Sequence, residues 1–181
     1  MKTTVRAAVR RLPWLISLLF LGLAVSGVSR LFEGVVGRLP MLVAFQPLLL
    51  GMAGNAGTQS LAVTLRGIVR DDKGCAQMIL SEVRIALLTG LVIGAVSFFA
   101  IWAYLCRILN YSSDFAATAA FCIGASSTIS MTVSGLTGSA IPIILCRLGA
   151  DPAVASGPLI TTVSDLCALV CYYSIAWAML V

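Results

Sequence analysis

The chain has 181 residues, of which 60% are hydrophobic and 10% charged, and its formal net charge is +5. With a mean hydropathy of +1.03, this composition excludes a soluble globular domain and is typical of an integral membrane protein. The six cysteines form no CxxC pair and histidine is absent, which disfavours a thiolate–imidazole metal site and a secreted disulfide framework.

Five apolar segments have roughly the length needed to cross a bilayer: about 12–32, 40–68, 79–108, 114–146 and 155–181. They predict an all-α membrane protein with five transmembrane helices in one domain, residues 1–181. The basic start and apolar run of the first segment also fit a signal peptide. A retained span is favoured, because the apolar run exceeds the usual signal-peptide core.

The basic residues predict the orientation of these segments. Three of the twelve lysines and arginines lie on one side (Arg30, Arg38, Arg107), and nine lie on the other (Lys2, Arg6, Arg10, Arg11, Arg66, Arg70, Lys73, Arg84, Arg147). Since basic residues are enriched in cytoplasmic loops, the amino terminus is expected in the cytoplasm and the carboxyl terminus outside. The same scatter at span ends argues against a nucleic-acid surface.

The second segment combines helix-breaking residues with polar ones. Pro47, Gly51, Gly54 and Gly57 predict a break or bend, which membranes tolerate where the backbone lines water or is buried in protein. Asn55, Thr58 and Gln59 lie on one side of it. Pore lining and close packing of small residues explain this pattern about equally well.

The connections and the two middle segments carry less information about function. Asp71 and Asp72 form a charged turn that could hold a divalent ion loosely, although solvated loop charges are the favoured interpretation. Glu82 and Arg84 are expected to continue this cytoplasmic polar rim. The third segment fits lipid-facing structure, whereas the fourth is rich in small hydroxyl residues that pack helices, with a bend expected before Pro142.

The last segment contains the most informative residue, Asp165. A carboxylate near the bilayer midplane is costly and therefore usually faces a polar cavity or a partner. Helical spacing places several residues on its face: Pro158, Thr161, Thr162, Ala168, Leu169 and Tyr172. The alternative is an aspartate that only hydrogen-bonds a neighbouring helix.

Two stretches resemble the transmembrane domain of the MgtE family of magnesium channels or transporters. PLLLGMAGNAGTQSLAVTLRGI (47–68) is similar to the family's P…GNxGTQ…RG pattern, and residues 138–176 resemble its G-x-x-x-P…R-x-G-x-DPA…P…TT…D region. The resemblance implies a homodimer with a Mg²⁺ path along its axis. Asp165 occupies the position of the pore aspartate, and Gly54, Asn55, Gly57 and Gln59 occupy the GNxGTQ positions.

Two departures from the family pattern stand out. Familiar members carry amino-terminal and CBS regulatory domains in the cytoplasm, and this sequence has neither, so a naturally short member and an excised pore domain both remain open. Gly157 also replaces the polar residue expected before Pro158. If the chain is complete, poor regulation by internal Mg²⁺ is expected, because the usual sensor domains are absent.

The sequence favours one function and leaves three others open. The favoured function is conduction of hydrated Mg²⁺ across a bacterial inner membrane through a dimeric pore. No enzyme activity and no resident cofactor are expected. The expected partners are the lipid bilayer, Mg²⁺ and a second copy of the chain. A broader divalent-cation pathway (Mn²⁺, Co²⁺, Ca²⁺) or an ion-coupled transporter is the first alternative. An intramembrane aspartyl enzyme and a membrane scaffold are the others, the enzyme disfavoured because a second intramembrane acid is missing.

Overall fold

A computed structural model describes residues 2–38, 40–70, 74–149, 151 and 157–180, and these residues form six α-helices. The helices are α1 (Lys2–Leu31), α2 (Glu33–Arg38), α3 (Met41–Arg70), α4 (Cys75–Arg107), α5 (Ser113–Arg147) and α6 (Gly157–Leu180).

Three helices, α4, α5 and α6, are long and apolar enough to cross a membrane by length and composition, in the part of the chain that the structure describes. The predicted all-α class is confirmed, and the three long apolar helices are compatible with a membrane protein. Helix α1 contributes a shorter apolar stretch, Leu15–Leu31, and α3 carries several polar residues along its length. Membrane spans at α1 and α3 therefore stay predictions, as does the count of five.

The helix boundaries follow the predicted segments with two differences. Helix α1 begins at Lys2 and includes Pro13, so the helix extends well before the apolar stretch that predicted it. The short helix α2, between α1 and α3, was not predicted.

Helices α3 and α5 run without interruption through the residues expected to break or bend them. Helix α3 is continuous through Pro47, Gly51, Gly54 and Gly57, and α5 is continuous through Pro142. A break in α3 was therefore a wrong prediction, and Gly54 and Gly57 serve close contacts with α6 instead. A bend in either helix stays a prediction.

Helix α5 lies at the centre of the protomer, where it packs against α3, α4 and α6. Its contact with α4 depends on small residues, since a Cβ at Gly94 would lie 2.6 Å from the Gly124 carbonyl oxygen. In addition, the Thr128 hydroxyl donates a hydrogen bond of 2.9 Å to the Gly90 carbonyl. The predicted packing role of the hydroxyl-rich fourth segment is confirmed at this interface.

The largest hydrophobic cluster joins the start of α3 to the end of α6. Tyr172 is 1% exposed, and its hydroxyl donates a hydrogen bond of 2.9 Å to the Leu42 carbonyl oxygen. Tyr173 donates one of 2.7 Å to the Gln46 side-chain oxygen and stacks on Phe32. These contacts fix α6 against α3, and so determine where the rest of each helix meets the other.

Candidate functional site

Asp165 lies in the first half of α6, eight residues after Gly157 and therefore about 12 Å along the helix. Its carboxylate is partly buried. The Oδ1 atom is buried and has no hydrogen-bond partner among the residues that the structure describes. An unpaired buried carboxylate oxygen is costly in a membrane. Within these residues no neighbouring helix therefore donates a hydrogen bond to this oxygen, which argues against the alternative interpretation of Asp165 from the sequence.

The carboxylate borders a cavity of about 230 Å³ between α3 and α6. The residues around it come from one face of α3 and one turn of α6: Leu50, Gly51, Gly54, Asn55, Thr58, Thr161 and Asp165. Asn55 is exposed at the protomer surface, whereas Gly54 is buried. The cavity therefore presents amide, hydroxyl and carboxylate oxygens.

Glycines on α3 allow this close approach of α6. A Cβ at Gly54 would lie 3.0 Å from Cγ2 of Thr161. One turn further, a Cβ at Gly57 would lie 2.8 Å from the Ser164 hydroxyl oxygen and 2.9 Å from Cγ2 of Ile160. Without a side chain at these two positions, the helices can meet with the carboxylate beside α3.

The two threonine hydroxyls of the cavity are oriented by their own helices. Thr161 donates to the Gly157 carbonyl at 2.8 Å, and the Thr58 hydroxyl lies 3.0 Å from the carbonyls of Gly54 and Asn55. A hydroxyl has one proton and two lone pairs. Because each proton is directed to the backbone, the oxygen lone pairs remain available to a cation or to its water shell.

The structure brings together part of the predicted site. Gly54, Asn55, Thr58 and Thr161 lie around the cavity with Asp165. Gly57 is buried at the contact with α6, and Gln59 is exposed over a neighbouring cavity between α3 and α4.

The remaining predicted residues lie elsewhere. Pro158 is exposed and Thr162 is partly buried, with its hydroxyl donating to the Pro158 carbonyl at 2.8 Å; neither borders the Asp165 cavity. Tyr172 lies in the core of the protomer on Leu42. It is two helical turns from Asp165, where the same face of α6 packs on the start of α3. Asp71 and Asp72 lie outside the described residues.

Two features were missed by sequence reasoning. Leu50 borders the cavity, and nothing in the pattern of the second segment distinguishes it from the neighbouring leucines. Glu82 was expected on the polar rim but is 6% exposed on α4. Its position seven residues inside α4 was the available signal, because a helix that begins at Cys75 has already left the charged loop.

The donor set suits an ion that keeps its water. No group of three or more histidine, cysteine, aspartate or glutamate side chains that could hold a metal occurs within the described ranges. One carboxylate with amide and hydroxyl oxygens matches the hard oxygen ligands of Mg²⁺, which sheds water reluctantly and is usually held by one or two carboxylates.

Apolar helices that can cross a bilayer, with a carboxylate at a polar cavity between two helices, are features of a membrane transport protein for cations. The family model MgtE, described as a divalent cation transporter, matches residues 46–175. The chain belongs to the MgtE family.

Three relatives called magnesium transporter MgtE are similar over most of the chain. The protein of Enterococcus faecalis is 44% identical over 174 residues, which cover 94% of this chain and 36% of the relative. The protein of Bacillus subtilis is 40% identical over 95% of this chain and 37% of the relative. The protein of Thermus thermophilus is 31% identical over 92% of this chain and 35% of the relative. The chain thus spans about a third of the length of these relatives.

Proposed function

We propose that this chain conducts Mg²⁺ across a bacterial inner membrane and that Asp165 is its central ion site. The observation that carries the proposal is the buried, unpartnered Oδ1 of Asp165 beside a cavity lined by oxygen-bearing side chains. A hydrated cation in the cavity would compensate the charge of the carboxylate. The names of the three relatives support Mg²⁺ as the ion.

The volume of the cavity and the number of its ligands favour a hydrated ion. A water molecule occupies about 30 Å³ in the liquid, so a cavity of about 230 Å³ has room for an ion together with several waters. Replacing the whole shell of Mg²⁺ would need about six oxygen ligands in octahedral geometry. The cavity offers one carboxylate, so contact through the water shell is the better match.

A second copy of the chain would complete the site. The cavity opens at the protomer surface, where Asn55 is exposed, and polar groups in a membrane are normally covered by protein or water. Most homo-oligomers are twofold dimers. A twofold axis at this opening would bring two Asp165 carboxylates together, giving a formal charge of −2 against the 2+ ion. In this arrangement α1, α3, α4, α5 and α6 are the five spans, and the amino terminus is cytoplasmic.

Proteoliposomes that contain a Mg²⁺-sensitive dye test the proposal. Asp165→Asn keeps the shape of the side chain and removes its charge, so Mg²⁺ influx should fall at least tenfold. The matched control is Asp114→Asn, since Asp114 is exposed in the first turn of α5. Equal loss in both variants, or unchanged influx in Asp165→Asn, would contradict the assignment of Asp165.

Two alternatives are separated by the same assay. The family description names divalent cations in general, so competition by Mn²⁺, Co²⁺ and Ca²⁺ measures selectivity. Ion-coupled transport is favoured by one observation, the second buried acid at Glu82, because coupled transporters usually carry additional intramembrane acids. If uptake depends on an imposed proton or sodium gradient, the chain is a coupled transporter and not a passive channel.

A further inference from the structure

Glu82 on α4 is a buried acid to which the described residues supply no ion pair or hydrogen bond. It is 6% exposed, and seven residues separate it from Cys75, a distance of about 10 Å along the helix. The salt bridge that the described residues form joins Arg30 to Glu33, and no hydrogen bond to the Glu82 side chain is formed within the same residues. A buried carboxylate stays charged only where something compensates its charge.

Two cavities between α3 and α4 meet at Glu82. One, of about 360 Å³, extends toward the end of α3 at Arg66 and Arg70. The other, of about 420 Å³, extends in the opposite direction along α3 to Gln59 and Asn55. Val63 and Ile85 border both cavities. The compensating group therefore has space on both sides of the carboxylate.

The second cavity also extends from Glu82 to a residue of the Asp165 site. Asn55 borders both that cavity and the one beside Asp165. Three cavities thus follow one another along α3, from Asp165 past Asn55 and Glu82 to the arginines at the end of the helix.

Two hydroxyl groups border the same cavities as the Glu82 carboxylate. Thr64 is 1% exposed, borders the first cavity, and its Oγ1 has no hydrogen-bond partner in the described part of the chain. Ser60 is 4% exposed and borders the second cavity. These are hard oxygen ligands of the same kind as those beside Asp165, and cysteine is absent from the lining of both cavities.

We propose that Glu82, Thr64 and Ser60 form a second binding site for the transported divalent cation, which holds hydrated Mg²⁺ between Asp165 and the end of α3. This inference rests on the proposed function of the chain. One carboxylate leaves a formal charge of +1 on the bound ion, and Arg66 and Arg70 lie at the exit. The site is therefore weak, as conduction requires for an ion that must leave again.

Mg²⁺ binding and Mg²⁺ flux, measured on the same purified full chain, test the second site. Equilibrium dialysis gives the number of Mg²⁺ ions bound, and proteoliposomes give the influx. Glu82→Gln should reduce the bound Mg²⁺ by one ion per chain and the influx about tenfold, without lowering the unfolding midpoint measured in the absence of Mg²⁺. The matched control is Glu33→Gln, whose side chain is 72% exposed in its ion pair, and it should change neither quantity.

Thr64→Val provides an independent variant, because it keeps the shape of the side chain and removes only a hydroxyl that has no partner. It should weaken Mg²⁺ binding several-fold while leaving the fold intact. If wild-type chain conducts Mg²⁺ and both variants bind and conduct like it, the second site is refuted. If Glu82→Gln binds all the Mg²⁺ but loses a dependence on a sodium or proton gradient, Glu82 serves a monovalent ion and the inference is also refuted.

A failure of the proposed function gives a different result. Wild-type chain would then show no Mg²⁺ influx at all. Dialysis would still test the second site, since loss of one bound ion in Glu82→Gln does not depend on conduction.

Discussion

The backbone of Gly57 on α3 lies directly against Gly138 on α5, so that a Cβ at position 138 would collide with the Gly57 carbonyl oxygen. On its other side, Gly57 faces Ser164 of α6, the residue before Asp165. The three helices that position the candidate ion site therefore meet at one glycine. Their spacing sets how far the carboxylate stands from α3.

Gly138→Ala should destabilise the protomer, because the obstacle is backbone and cannot rotate away. Overpacking of a well-packed contact costs about 1–3 kcal/mol. The unfolding midpoint of the chain in detergent measures the effect. Gly22→Ala is the matched control, since nothing lies within 4 Å of a Cβ there, and it should be neutral or stabilising by up to about 1 kcal/mol through helix propensity. Equal stability of the two variants would contradict the close contact.

Gly54→Ala should reduce Mg²⁺ influx with a smaller effect on folding. A Cβ at position 54 would lie 3.0 Å from Cγ2 of Thr161. The Thr161 side chain must therefore shift by a few tenths of an ångström at the edge of the cavity. We expect influx to fall several-fold. Gly51→Ala is the control on the same cavity, because its Cβ meets no atom within 4 Å. A larger effect at Gly51 than at Gly54 would argue against this geometry.

Asp165→Ala should lose Mg²⁺ influx and gain stability. The wild-type carboxylate has a buried oxygen without a partner, and an unsatisfied buried polar atom costs about 1–3 kcal/mol. Since Asp165 is only partly buried, the gain should be near the lower end, about 1 kcal/mol. Thermal unfolding in Mg²⁺-free buffer, beside the flux assay, measures both quantities. A clear loss of stability would show that the side chain has a structural partner.

Tyr172→Phe should weaken the protomer and leave ion selectivity unchanged. The substitution removes the hydrogen bond of 2.9 Å to the Leu42 carbonyl, and such bonds between membrane helices are worth about 0.6–2 kcal/mol. Tyr111→Phe is the control, since Tyr111 is 42% exposed. The unfolding midpoint and the Mg²⁺/Ca²⁺ flux ratio are measured together. A changed flux ratio with unchanged stability would support the original prediction that Tyr172 lines the ion path.

Cys146 reports the orientation in the membrane. It is exposed at the end of α5, whereas the other five cysteines are buried or partly buried. Beside Arg147, it is predicted on the cytoplasmic side. A membrane-impermeant maleimide should therefore label inside-out vesicles and leave right-side-out vesicles unlabelled. Cys146→Ala should abolish this labelling, and labelling of right-side-out vesicles would reverse the predicted orientation.

Much of the site and its surroundings follows from the sequence. The apolar runs predict long helices, and the rarity of acids in such runs directs attention to Asp165. Gly149, two residues after the end of α5 at Arg147, has a φ of +72°. Left-handed backbone favours glycine because a side chain would clash there. Each of these features is local, so residue types and spacing suffice to predict it.

Tertiary structure decided which residues share a cavity. Helical spacing places Tyr172 and Thr161 on the face of Asp165, but Tyr172 is covered by the start of α3 while Thr161 remains open to the cavity. Likewise, the sequence marks Glu82 as one more charge near a loop, and only the packing of α3 on α4 buries it. The face of a helix is fixed by its period, whereas the environment of each point on that face depends on the neighbouring helix and its crossing. That neighbour comes from a distant part of the chain, so local pattern could not supply it.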